Sequence, residues 1–227
     1  MVSVLGMHRS GTSVLAGSLE EAGVFLGPVA TSSHNNPRGN REHPDILALH
    51  EALLASSGGA WDAPPERVRW RARHRAERDR IIAFFADVPC WGFKDPRNLL
   101  VIDGWREAIP QLEFIGIVRH PLAVAFSLRE RNGFSLERGL ELWQLYNRRL
   151  LRLHDEKPFP IVSFDLPADL FVWSIRIALL EIGITPPPNL TFFGEGLRHH
   201  RCSLGSLPAG TMSLYVALEE RSVRASC

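Results

Sequence analysis

Val2-Ser3-Val4-Leu5-Gly6-Met7-His8-Arg9-Ser10-Gly11-Thr12-Ser13-Val14-Leu15-Ala16 is the stretch that sets the reading of this chain. A short β-branched run feeds a glycine-bounded loop, and the loop opens into an apolar, alanine-rich segment with helical character. A strand, a tight loop and a helix N-terminus in that order make an anion cradle, because free backbone N–H groups converge there. Four residues separate Gly6 from Gly11, the spacing of a P-loop. Thr12 stands where a nucleotide triphosphatase carries lysine, and the cation sits inside the loop as Arg9. Arg9, Ser10, Gly11, Thr12 and Ser13 are therefore the candidate anion-binding residues. The alternative is a strand–helix turn capped by Ser and Thr, but capping explains neither the arginine nor the paired glycines.

The chain of 227 residues is long enough for one α/β domain with a substantial core. The formal net charge is +1, so no global field recruits nucleic acid or a membrane surface. Lysine occurs only at Lys94 and Lys157, which leaves nearly all cationic work to arginine. Cys90, Cys202 and Cys227 show neither metal-ligand spacing nor a disulfide framework. The histidines likewise lack zinc-type spacing, and no metal is expected. No apolar run reaches membrane-spanning length. The first strand leaves no room ahead of it for a signal peptide, so a cytoplasmic location is expected.

Strands are expected at 2–6, 91–94, 114–118 and 160–163. Helices are expected at 12–23, after residue 43, and at 66–87, 98–109, 121–131, 135–153 and 167–182. Residues 27–43 read as loop, crowded with Pro, Ser, Asn and Gly. The apolar run Phe114-Ile115-Gly116-Ile117-Val118 has the composition of a strand buried on both faces. Alternating strands and helices imply a parallel sheet flanked by helices on both faces, a three-layer α/β/α architecture. Ligands in such sheets bind beyond the carboxyl ends of the strands. Three strands end in charged residues followed by helix starts: His8-Arg9-Ser10, Lys94-Asp95-Pro96-Arg97 and Arg119-His120-Pro121. A parallel sheet brings all three to one rim.

Arg119 and Ser127 lie eight residues apart, about two helical turns, and could clasp a second phosphate between them. A local ion pair and a solvated serine are the alternative. Lys94, in so arginine-biased a chain, hints at a site that wants a compact point charge, or at a turn capped by Asp95-Pro96. Glu42 follows Asn36-Pro37-Arg38-Gly39-Asn40-Arg41 and could serve as general base over the cradle. A favourable charge at a helix start is the plainer reading of that glutamate. Seven arginines between Arg67 and Arg80 are interleaved with Glu66, Glu77 and Asp79, the pattern of a solvated helix face or, alternatively, of a patch for an acidic acceptor.

These motifs, in this order, resemble the sulfotransferases that use 3′-phosphoadenosine-5′-phosphosulfate (PAPS), in particular the bacterial branch related to carbohydrate sulfotransferases. The likeness covers residues 2–165. Gly6 to Ser13 is similar to the family's 5′-phosphosulfate loop, with Arg9 where many members carry lysine. Val118-Arg119-His120-Pro121 through Ser127 is similar to its 3′-phosphate motif. Trp91-Gly92-Phe93-Lys94-Asp95-Pro96-Arg97 resembles the lysine-bearing strand end near the sulfuryl group, and Asn36 to Glu42 resembles a loop that supplies a catalytic glutamate.

The resemblance implies one domain over 1–227 and PAPS as cosubstrate without a metal. Residues 28–90 would be a mostly helical insertion shaping the acceptor site, and 190–227 a segment covering the nucleotide. Arg9, Lys94 and Glu42 would be catalytic. Arg9, Ser10, Gly11, Thr12, Ser13, Arg119, Ser127 and Arg198 would bind the nucleotide. The acceptor would be a hydroxyl or amine of a small molecule or carbohydrate. Two features depart from the family pattern. Pro96 takes the place of a catalytic histidine, and the usual glycine-rich carboxy-terminal loop is not visible. Arg198-His199-His200-Arg201 is the expected replacement for that loop. Two other functions compete. A small-molecule kinase would need the lysine that Thr12 replaces. A catalytically inactive nucleotide-binding homologue would have no use for Glu42 and Lys94.

Overall fold

The computed structural model describes residues 1–32, 36, 38–194 and 206–223. Strands β1 (Val2–Leu5), β2 (Gly92–Lys94), β3 (Glu113–Val118) and β4 (Ile161–Ser163) form one parallel sheet in the order β2-β1-β3-β4. The helices are α1 (Thr12–Glu21), α2 (Pro44–Ser56), α3 (Ala72–Phe84), α4 (Asn98–Ala108), α5 (Pro121–Asn132), α6 (Leu136–Glu156), α7 (Ala168–Glu181) and α8 (Ala209–Arg221).

The period of two along each strand splits the core into two layers. Val2, Val4, Ile115, Ile117 and Val162 face α1 and α7, packing with Leu15, Leu19, Phe171 and Ile175. Leu5, Phe93, Phe114, Val118 and Ile161 face the opposite layer, with Ile46, Leu49, Trp105, Trp143 and Leu150. Both faces of the sheet are covered, so its strands can be apolar on both sides. The three-layer α/β/α arrangement expected from the sequence is the one observed.

The strand order positions the site. The chain leaves β1 for β2 on one side, then returns past β1 to β3 on the other. The order reverses between β1 and β3, and a crevice opens there beyond the strands' carboxyl ends. Gly6 sits at that point under tight constraint. A Cβ on it would lie 2.6 Å from the Ile117 side chain and 2.9 Å from the Ile117 carbonyl oxygen.

One boundary differs substantially from expectation. The helix expected at 66–87 begins at Ala72. Residues ahead of it are held extended by tertiary bonds: the Arg69 N–H donates to Ser57 Oγ at 3.1 Å, and the Trp70 indole N–H donates to the Val101 carbonyl at 3.2 Å. Trp70 thereby packs against Gly104 of α4 and belongs to the core rather than to a pocket. Several arginines of the basic run are spent on surface or interhelical contacts. Arg75 pairs with Glu107, Arg80 with Asp45 and Glu77, and Arg78 packs over Trp70.

Within 190–227, the segment expected to cover the nucleotide, residues 209–221 form α8. It packs on α6 and β4 through Gln144–Thr211 and Ser163–Glu219 hydrogen bonds, both 2.7 Å. Ser222 then bridges to Ile161 at the sheet edge.

Candidate active site

The loop leaving β1 turns back on itself before α1. Gly11, at φ 92°, makes the turn, and the Val14 and Leu15 N–H groups close on its carbonyl. Arg9 also adopts a left-handed conformation, φ 67°, which costs a side-chain-bearing residue about 1–2 kcal/mol. Long-range bonds hold it there. Arg9 Nε donates to Ser127 Oγ at 2.7 Å, and Arg119 Nη1 donates to the Arg9 carbonyl at 3.0 Å. Arg119 is itself fixed, because the Trp143 indole N–H donates to its carbonyl at 2.9 Å and its guanidinium lies 4.9 Å from the Phe164 ring centroid. The sequence separates these residues into two motifs. The fold joins them, with Arg9 as the link.

A cavity of about 300 Å³ opens over this junction. Arg9, Gly11, Thr12, Ser13, Glu42, Lys94, Arg119 and Ser127 all line it, so eight of the predicted site residues meet in one place. Ser10 takes a different position. It is fully buried, its N–H donates to the Met7 carbonyl at 3.2 Å, and it shapes the loop from beneath without lining the cavity. Arg198 lies outside the described residues. From the segment after residue 190, Phe192 is the described residue that reaches the cavity. The Glu21 carboxylate holds it there by accepting from the Thr191 and Phe192 N–H groups at 3.0–3.1 Å.

Lys94 and Glu42 line the same cavity beside the cradle. Lys94 Nζ donates to Glu42 Oε1 at 2.7 Å and to the Asn40 carbonyl at 2.8 Å. Ser13 Oγ donates to the same carbonyl at 3.2 Å. The loop carrying Glu42 is thus clamped to both the cradle and the end of β2. Arg41, paired with Glu20 at 3.0 Å, anchors it to α1.

Behind Lys94 runs a buried polar chain. The Trp105 indole N–H, a donor only, reaches His50 Nε2 at 2.8 Å. The His50 proton therefore sits on Nδ1 and points to Asp95 Oδ2, 2.9 Å away. Asp95 in turn accepts from the Arg97 backbone N–H and from Arg97 Nη1 at 2.9 and 3.0 Å. Burial pushes the Asp95 carboxyl up, but His50 and Arg97 outweigh it and hold the group well below its ordinary range. This chain orients the strand end that carries Lys94 and Arg97.

Taken together, Arg9, Lys94, Arg97, Arg119 and Arg131 face the cavity, and Glu42 is the one carboxylate among its described lining residues. His8 lines it too. Burial and then the Arg97 charge push its imidazole well below the usual histidine range, so the ring is neutral at neutral pH. His8 Nε2 is buried without a hydrogen-bond partner among the described residues, as is Arg97 Nε. Excess positive charge with unmet polar atoms suits a polyanionic ligand. No group of three or more His, Cys, Asp or Glu among the described residues could hold a metal ion. No described helix is long and apolar enough to cross a membrane.

Comparison with known proteins assigns the family. The model of the sulfotransferase family matches residues 2–162, a span that takes in the cradle, the Lys94 strand end and the Arg119–Ser127 motif. The chain belongs to the sulfotransferase family. No curated protein matches it in sequence. Among solved structures it is similar to the sulfotransferase domain of the Synechococcus PCC 7002 olefin synthase, with a TM-score of 0.58 at 18% identity over 96% of this chain and 94% of that one. A sulfotransferase from Alicyclobacillus acidocaldarius aligns over 86% of this chain and 87% of that one, at 18% identity and a TM-score of 0.48.

Several site residues of this sulfotransferase escaped sequence reading. His8 was visible only as a strand-end residue. Arg131 is four residues past Ser127, one helical turn, and that spacing was the available signal. His50 carried no signal, since its partners Asp95 and Trp105 are 45 and 55 residues away.

Proposed function

We propose that this chain transfers a sulfuryl group from PAPS to a hydroxyl or amine of a small-molecule or carbohydrate acceptor. One observation carries the reading: Arg9, Arg119 and Ser127 are bonded into a single junction at the sheet's reversal point, with Lys94 and Glu42 lining the same cavity. A donor with phosphate at both the 3′ and 5′ positions needs two cationic grips within one molecule's length. The loop N–H groups, Arg9 and Lys94 would take the 5′-phosphosulfate, where charge builds on the leaving oxygen. Arg119 and Ser127 would take the 3′-phosphate, which distinguishes this donor from ATP.

Glu42 is the group for proton removal. The acceptor oxygen or nitrogen forms a bond to sulfur, the bond from sulfur to the phosphate oxygen breaks, and the acceptor proton passes to the carboxylate. Adenosine 3′,5′-bisphosphate leaves with the bonding electrons. A kinase reading finds no support at Thr12, which is buried against Gly6.

The test is Glu42→Gln, assayed with [35S]PAPS against a panel of glycans, lipids and phenols. Loss of a general base lowers turnover by about 10²–10⁴, while adenosine 3′,5′-bisphosphate still binds. Full activity in the variant removes Glu42 from the role. Failure of the wild-type protein to bind the bisphosphate overturns the whole reading.

A further inference from the structure

Of the two cavity cations that the proposed donor grip does not use, Arg97 and Arg131, the second has no carboxylate partner among the described residues. It lies on α5, one turn beyond Ser127, and lines the cavity beside Trp61, His8 and Arg97. The other cations have assignments. Arg9 and Arg119 are bonded at the junction with Ser127, Lys94 pairs with Glu42, and Arg97 pairs with Asp95 and Glu51. Arg131 Nε donates to its neighbour Asn132 at 2.7 Å, and no carboxylate among the described residues pairs with its guanidinium.

The guanidinium is nonetheless held in place. It lies 5.4 Å from the Trp61 ring centroid, and Trp61 is backed by the His8 ring at 4.4 Å. The Tyr146 hydroxyl donates to the Trp61 carbonyl at 2.7 Å and locks the platform from below. Burial, and then the Arg9 charge, disfavour the charged form of Arg131, while Glu42 favours it. A half-buried cation kept beside other cations, on a built aromatic support, is costly unless an anion visits. Its electrostatic neighbours are Arg9 first, then Glu42 and Arg97, so it stands within reach of both the cradle and the proposed base.

We infer that Arg131, seated on Trp61, is an anion-recognition subsite for the acceptor, and that the acceptor carries a carboxylate in addition to the nucleophilic hydroxyl. This rests on the sulfotransferase reading, with Glu42 marking the acceptor side. The inference narrows the acceptor from any hydroxyl or amine compound to an acidic sugar or acidic phenol.

The test uses pairs of acceptors that differ in one carboxylate: 4-nitrophenyl β-D-glucuronide against the β-D-glucoside, and 4-hydroxyphenylacetate against 4-hydroxyphenylethanol. Calorimetry measures their binding to the full chain saturated with adenosine 3′,5′-bisphosphate. At least one acidic member should bind the wild-type protein about tenfold tighter than its neutral partner, equivalent to about 1.4 kcal/mol. Arg131→Gln should bring that preference to within twofold, and Arg131→Lys should restore part of it. The inference is overturned if wild type shows no preference in either pair or binds no acidic member, or if Arg131→Gln keeps the preference. It is also overturned if the variant chiefly loses bisphosphate affinity, which would move Arg131 to the donor. A wild-type protein that does not bind the bisphosphate sinks the donor assignment instead, so the two failures are distinguishable.

Discussion

Replacing Arg119 by Met tests the junction where it is most exposed to refutation. The Arg119 guanidinium is almost wholly buried, lies over Phe164 and donates to the Arg9 carbonyl. Methionine keeps an apolar stem against Phe164 and removes the charge. Two effects follow and must be separated. Loss of the hydrogen bond to Arg9 loosens the cradle by about 1 kcal/mol, which weakens any nucleotide held there. Loss of the contact to a 3′-phosphate costs a further 1.5–3 kcal/mol or so, the usual worth of a hydrogen bond to a charged group. Adenosine 5′-phosphate lacks the 3′-phosphate and so registers the first effect alone. The ratio of its dissociation constant to that of adenosine 3′,5′-bisphosphate isolates the second. That ratio should fall by roughly 10- to 150-fold in the variant, measured calorimetrically at one fixed ionic strength because salt screens such contacts. An unchanged ratio, with both nucleotides weakened equally, would show that Arg119 only braces Arg9. The assignment of the 3′-phosphate site would then be wrong.

Other perturbations probe the supports of the site. Lys94→Met strands the Glu42 carboxylate, part-buried with its partner gone, and should lower stability by about 2–3 kcal/mol in urea melts at pH 7; adding Glu42→Gln should recover part of that loss. Gly11→Ala puts a Cβ 2.3 Å from the Phe164 ring at φ 92°, and should cost about 2 kcal/mol of stability and more than tenfold in bisphosphate affinity. His50→Leu breaks the chain from Trp105 to Asp95 and should cost about 2–4 kcal/mol at pH 7. The pH dependence adds a sign. Asp95 is depressed from its ordinary value of 3.8, so the folded state binds fewer protons than the unfolded one. Its stabilisation is complete above about pH 4 and is lost as pH falls toward the folded value. Without His50 the depression shrinks, and urea melts at pH 7, 4 and 3 should show a shallower acid loss than wild type.

Strand and helix positions were legible because period-two and apolar-run signals are local, and most boundaries agree within three residues. The helix at 72–84 was overextended because nothing local reveals that the Trp70 indole turns into α4. The eight-residue interval from Arg119 to Ser127 suggested a shared site, and both line one cavity. The spacing could not reveal that Arg9 Nε takes the Ser127 hydroxyl, since that bond spans 118 residues. Ser10 read as a cradle residue by its place in the motif. Its burial follows from the loop's reversal at Arg9, a conformation that arginine adopts only under outside restraint.

Glycine spacing, β-branched runs and charged strand ends were enough to indicate a parallel three-layer architecture with a glycine-bounded loop after the first strand. Those features act over a few residues, so the chain carries them openly. Which side chains would share the cavity was decided by the order β2-β1-β3-β4, which seats β1 between the strands bearing Lys94 and Arg119. The Lys94–Glu42 pair, the His50–Asp95–Arg97 chain and the Trp61 seat beneath Arg131 exist only after that placement. Each joins segments far apart along the chain, and periodicity names the face a residue turns to but never the neighbour it meets there.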